Sequence, residues 1–131
     1  MAGVDTNILV RWIVNDDPAQ VARVQTLFEA ARRDGAQLLV PCTVTLELEW
    51  VLRHRCRLAK TVVLRVFNTL LETQELAFEA EPAIERALHA YRSAQADFAD
   101  CLHAGLCSAA GQAPLLSFDA RAARLADVMA L

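Results

Sequence analysis

Four acidic residues, Asp5, Glu47, Asp100 and Asp119, stand far apart in the chain, each where an apolar run gives way to a turn or a helix. Asp5 closes Ala2-Gly3-Val4 and opens Thr6-Asn7-Ile8-Leu9-Val10, while Asp119 closes Pro114-Leu115-Leu116-Ser117-Phe118 and precedes Ala120-Arg121-Ala122-Ala123-Arg124-Leu125. In an open parallel sheet the ligand crevice lies beyond the carboxyl ends of the strands, where two such residues would meet. Carboxylates gathered there repel one another, by about 1 kcal/mol per pair at roughly 4 Å in bulk water and by more when partly buried. A hard divalent cation such as Mg²⁺ offsets that repulsion and accepts an all-oxygen ligand set. The acidic residues therefore read as one shared metal site.

Each residue also has a purely structural reading. Asp5 and Asp119, taken singly, are better explained as helix caps or Asx-turn residues than as ligands. Thr6, Asn7 and Ser117 flank them with short polar side chains, which either orient the carboxylates from behind or shape the turns. Glu47 carries more information. Val44, Glu47, Leu48 and Val51 fall at i, i+3, i+4 and i+7, which places this carboxylate within an apolar helix face, where it needs a partner. Glu49 lies about 200° away around a helix of 3.6 residues per turn. It stands four residues before Arg53, the spacing of a solvated ion pair. Glu47 is accordingly assigned to the site and Glu49 to the surface, the alternative for Glu47 being a buried acid paired with an arginine.

Asp97 and Asp100 share the first turn of an apolar helix. Asp97 suits the N-cap, and Asp100, three residues on, suits either the positive helix end or a metal. Asp100 is the better ligand, with Asp97 an outer or occasional one. His103 reads as a packed core residue and is left out of the site. The basic run Arg53-His54-Arg55-Cys56-Arg57 reads as the usual cationic end of a helix rather than as a phosphate-binding patch.

The elements that must position these residues follow from periodicity. Short apolar runs alternate with helical patterns, which predicts an α/β fold, a single domain over residues 1–131 with a central, mainly parallel sheet of four or five strands flanked by helices. Strands are expected at Ala2 to Val4, Gln37 to Val40, Leu76 to Phe78 and Leu115 to Phe118, with an edge strand at Val128 to Leu131. A short first helix carries Ile8, Leu9, Trp12 and Ile13 on one side. Asp17-Pro18 caps and opens a second, whose stripe Val21, Val24, Phe28 and Ala31 runs until Asp34-Gly35 stops it. Further helices are expected over about Thr43 to Cys56, Ala59 to Leu71 and Glu81 to Arg92, and from Asp97 to a stop at Gly111, the last being central and buried.

At 131 residues the chain fits one domain that needs no staples. No apolar run reaches the length of a membrane span and the first residues lack a signal pattern, so a cytoplasmic protein with no membrane contact is expected. Cys42, Cys56, Cys101 and Cys107 show no C-x-x-C spacing and read as reduced, mostly buried thiols. A formal charge of −3 is unusual for a nucleic-acid binder, but two divalent cations at the acidic set would bring it to +1. Only Lys60 among the 13 basic residues is lysine; the rest carry the guanidinium fork that grips phosphate. Hydrophobic content of 55% points to a surface that meets a partner, for which the Val21, Val24, Phe28 stripe is a candidate.

With Asp5-Thr6-Asn7, Leu46-Glu47-Leu48-Glu49-Trp50-Val51-Leu52, Ala96-Asp97-Phe98-Ala99-Asp100 and Ser117-Phe118-Asp119 in this order, the chain resembles PIN-domain proteins of the VapC toxin type over nearly its whole length. That resemblance maps the family's acidic quartet onto Asp5, Glu47, Asp100 and Asp119, with Asp97 matching a further acid and Thr6, Asn7 and Ser117 matching the short polar neighbours. It implies a Mg²⁺- or Mn²⁺-dependent endoribonuclease, the toxin of a type II toxin–antitoxin pair, with RNA as substrate, a cognate antitoxin as partner and a homodimer as assembly. His103 departs from the aliphatic residue usual there. Alternatives are a PIN nuclease outside toxin–antitoxin systems, or a non-catalytic PIN or receiver-like binding module. A receiver would want a lysine after a late strand, and no phosphate-binding glycine motif occurs.

Overall fold

A computed structural model describes residues 2–131; Met1, the first residue of the expected domain, lies outside them. The chain divides into two compact units, one ending at Glu79 and one running from Ala80 to Leu131. It is α/β throughout, and its strands pair in parallel.

The first unit holds strands β1 (Ala2–Gly3), β2 (Leu38–Val40) and β3 (Leu76–Phe78) in the order β1-β2-β3. Ala2 stands level with Leu38, and Leu38 with Leu76. Helices α1 (Thr6–Val14) and α2 (Pro18–Arg33) connect β1 to β2. The crossover from β2 to β3 is made by α3 (Cys42–His54) and α4 (Lys60–Leu71). Asp17 caps α2 by accepting from the Gln20 N–H, and Pro18 fills its first turn, as the sequence predicts. The whole stripe of Val21, Val24, Phe28 and Ala31 is buried within the molecule. It is therefore spent on the core and does not supply the partner surface expected of it. Trp12 of α1 stacks on Phe28 of α2 with ring centroids 4.5 Å apart, and Thr6, Leu9 and Val10 are the buried residues of α1. Gly35, at φ +62°, turns the chain out of α2 into β2.

The second unit packs α5 (Glu81–Ser93) against α6 (Phe98–Ala109), followed by β4 (Leu115–Ser117), a 3₁₀ turn (Ala122–Arg124) and β5 (Val128–Ala130). The expected edge strand is real: β5 pairs in parallel with β4, Leu115 opposite Val128. The five strands hydrogen bond as a set of three and a set of two. Gly105 explains how closely the two helices approach, since a Cβ there would stand 2.7 Å from the Ala83 carbonyl oxygen. Tyr91 and Phe98 close the same interface. Phe98, Cys101, Leu102 and Ala104 line the buried side of α6. His103 does not join them; it is exposed, because the buried stripe passes on either side of it.

No helix among the described residues is long and apolar enough to cross a membrane. The four cysteines are free, with Cys101 buried and the other three only half-buried, less covered than their sequence neighbourhood implied.

Candidate functional site

Asp5 lies directly after Val4, whose N–H extends the β1–β2 ladder to the Leu39 carbonyl. It caps α1, and its Oδ1 accepts from the Thr6 N–H at 2.7 Å. The residue is exposed just past the carboxyl end of β1, and its other oxygen has no capping role. Thr6 supports Asp5 through this backbone contact, not through its hydroxyl. The Thr6 Oγ1 is buried and has no hydrogen-bond partner among the described residues. Asn7 is exposed one position further along α1.

The face of α3 is rotated from the sequence reading. Thr45, Leu48, Glu49, Val51 and Leu52 are buried, and Glu47 is exposed. The positions of α3 fit two overlapping stripes that share Leu48, and the one completed by Thr45, Glu49 and Leu52 turns inward, with Val51 buried at its edge. Glu49, at 2% exposure, is thus a core residue rather than a surface one. Its carboxylate receives both Nε and Nη2 of Arg53, the fork geometry that makes a buried acid tolerable. Glu47 projects into solvent instead, so an apolar helix face does not argue for it. The basic run after it has local duties as well, Arg53 on Glu49 and His54 against the Trp50 ring at 4.7 Å.

In the second unit Asp97, Asp100 and Asp119 come together. Asp97 is the N-cap residue of α6 but makes no side-chain cap bond. Asp100 is half-buried in the first turn of α6, and its carboxyl titrates above the ordinary range. Burial is the largest cause; the carboxylates of Asp119 and Asp97 add to it, while His103 and a backbone hydrogen bond at Asp97 pull the other way. Asp119 caps the 3₁₀ turn by accepting from the Ala122 N–H at 2.9 Å, and its own N–H donates to Ser117 Oγ at 3.0 Å. Ser117 therefore fixes the backbone of Asp119, leaving one carboxylate oxygen of Asp119 without a capping role. His103, three residues after Asp100 on the same helix, stands near enough to favour the ionised Asp100 carboxyl, a proximity its sequence position could have signalled.

Among the described residues no group of three or more His, Cys, Asp or Glu side chains is placed so that it could hold a metal ion. The donor chemistry nonetheless fits a hard cation. Three carboxylates share one field around Asp100, and a cation is the species that field favours.

A family model for the PIN domain matches residues 3–128. The chain belongs to the PIN-domain family. A curated relative, the VapC ribonuclease of Aquifex aeolicus (strain VF5), is 27% identical over 122 residues, covering 93% of this chain and 90% of that protein. The PIN match spans both compact units, so it takes in all four acidic positions and Asp97.

One residue of this PIN domain escaped the sequence reading. Glu79 follows β3, and its Oε1 accepts from the Cys42 N–H at 2.8 Å, capping α3 from outside the helix. The cap position itself is Pro41, which has no side-chain acceptor to offer, and that lack was the available signal. Burial first, and the Glu79 charge second, push the Cys42 thiol up, away from the reactive range.

Proposed function

We propose that this PIN domain is a Mg²⁺- or Mn²⁺-dependent endoribonuclease, acting as the toxin of a type II toxin–antitoxin pair, with Asp5, Glu47, Asp100 and Asp119 as its catalytic acids. The observation that carries the reading is Asp100: a half-buried acid held next to two others, in a chain whose Aquifex relative is a VapC ribonuclease. Such an arrangement is costly for a purely structural residue and useful for one that holds a cation.

Asp5, Asp100 and Asp119 are the proposed metal-holding residues, with Asp97 an outer contributor. Asp5 and Asp119 each spend one oxygen on a backbone N–H, which fixes the carboxylate and leaves the other oxygen to bind. A divalent cation, when bound, supplies Lewis acidity toward water and toward the phosphoryl and leaving oxygens. Glu47, exposed on α3, orients the attacking water and accepts its proton, and no covalent protein intermediate is required. Thr6, Asn7 and Ser117 position the acids from behind.

The partner is proposed to be an antitoxin encoded next to this chain, and the assembly a homodimer within the cytoplasm. The exposed apolar face of β4 and β5, where Leu116 stands level with Met129, supports an assembly surface. Purified, partner-free protein is expected to cut RNA with Mg²⁺ or Mn²⁺ and to stop when EDTA is added. Cleavage that persists in EDTA, or none on any RNA, rejects the nuclease reading.

A further inference from the structure

A groove in the first unit has chemistry that the acidic set does not use. It lies between α1 and α2, has a volume of about 360 Å³, and is lined by Asn7, Ile8, Arg11, Gln20, Arg23, Val24 and Leu27. Ile8, Val24 and Leu27 give it an apolar floor. Two guanidinium groups and two amides stand at its polar side, and none of the lining residues is an acid, although the chain as a whole has 16 acidic residues.

The two arginines differ in kind. Arg11 is already engaged: its Nε donates to Gln20 Oε1 at 2.6 Å and its Nη1 to Asp16 Oδ1 at 3.2 Å. These bonds pin it across the groove. Arg23 is exposed and is bound to no carboxylate among the described ion pairs. It is a cation with its fork available. Asn7, also in the lining, is two residues after Asp5 in the first turn of the helix that Asp5 caps.

An apolar lining that also carries guanidinium groups suits a ligand that has a flat apolar face and an anion together. A nucleotide of single-stranded RNA is such a ligand, its base or ribose resting on the floor and its phosphate on the arginine. We propose that the α1–α2 groove binds a nucleotide of the RNA strand next to the cut, with Arg23 as its phosphate contact. This rests on the ribonuclease reading above and adds to it the path of the substrate. Continuity with Asp5 through Asn7, and a positive lining in a chain of net charge −3, favour RNA over a peptide.

The test uses the full chain, a fluorescein-labelled single-stranded RNA of about a dozen nucleotides, and anisotropy in EDTA so that binding is read without turnover. Arg23→Glu is expected to weaken binding about tenfold and to flatten the dependence of log K on log salt by about 0.7, one lost phosphate contact on a single strand. Arg23→Lys should recover most of the affinity. Arg33→Glu, on the same helix but outside the groove and beside Asp34, should change neither quantity. In cleavage with Mn²⁺, Arg23→Glu should raise KM and leave kcat near that of the unaltered chain. If Arg23→Glu binds RNA within twofold of the unaltered chain with the same salt slope, or if Arg33→Glu does equal damage, the groove is not the RNA path. Failure of the unaltered chain to cut RNA rejects the nuclease reading instead, and the binding series still decides the groove.

Discussion

Glu49 and Asp100 are both acids set into apolar helices, yet their surroundings are opposite. Glu49 in α3 is almost fully buried and is clasped by the Arg53 fork four residues on. Asp100 in α6 is only half-buried and is set against Asp119 and Asp97, with His103 a partial counterweight. An acid that serves the fold brings its counter-charge from its own helix. One left among like charges has stability withheld from it, and that is the pattern expected where a cation or substrate is to supply the balance.

The sharpest way to break this contrast is to neutralise each acid and read turnover. Asp100→Asn should lower kcat/KM by at least about a hundredfold, the scale of removing a group that stabilises charge in the transition state. Glu47→Gln should also lower it strongly, whereas Glu49→Gln should stay within a few-fold of the unaltered chain while melting at a lower temperature. Equal turnover losses at Glu47 and Glu49 would mean that α3 presents its acids otherwise than described.

A second, smaller effect separates the same two regions by stability. Arg53→Ala takes the guanidinium away from a buried carboxylate and should destabilise the first unit by about 3 kcal/mol. Asp100→Asn, in metal-free buffer, should leave the melting temperature unchanged or raise it, since it removes a like charge. Denaturant unfolding of both variants reads the difference, and a destabilised Asp100→Asn would return that residue to a purely structural role.

The smallest expected effect is at Glu75, whose carboxyl is held below its ordinary value chiefly by a hydrogen bond from Arg32 Nε at 2.6 Å. A carboxyl depressed in the folded state contributes stability that is present above its unfolded pKa of 4.5 and is lost as pH falls through the lower folded value. Arg32 is 69% exposed, so solvent screens the pair and the contribution is modest. Glu75→Gln should reduce stability at pH 7 slightly and flatten its fall in the acid range below pH 4.5. An unaltered acid limb in that variant would show that other carboxylates govern it.

Much of this architecture was legible in the residues because local chemistry agreed with the fold. Asp17-Pro18 named the start of α2, its stripe named the buried face, and Leu76 to Phe78 was a strand as read. The rotation of α3 was not legible. Val44 and Val51 flank one side of Leu48 as Thr45 and Leu52 flank another, and periodicity cannot rank two stripes separated by one residue's turn of about 100°. Burying Glu49 also depended on Arg53 folding back along the same helix, which reads identically to a surface pair in sequence. Of the candidate site, the identities and order of the acids were visible; the grouping of Asp97, Asp100 and Asp119 and the identity of Glu79 as the external cap required the fold.

The proposed cation site is tested most directly by calorimetric melting with and without Mn²⁺, comparing the unaltered chain with Asp100→Asn and Asp119→Asn. At about 100 times its Kd, Mn²⁺ should stabilise the unaltered chain by roughly 2.7 kcal/mol, a rise of roughly 8 to 15 °C for a domain of this size. Asn at position 119 keeps an acceptor for the Ala122 N–H, so this variant should fold with its turn intact and still lose most of the Mn²⁺ shift. Full Mn²⁺ stabilisation in both variants, or none in the unaltered chain, would contradict a cation site built from these acids.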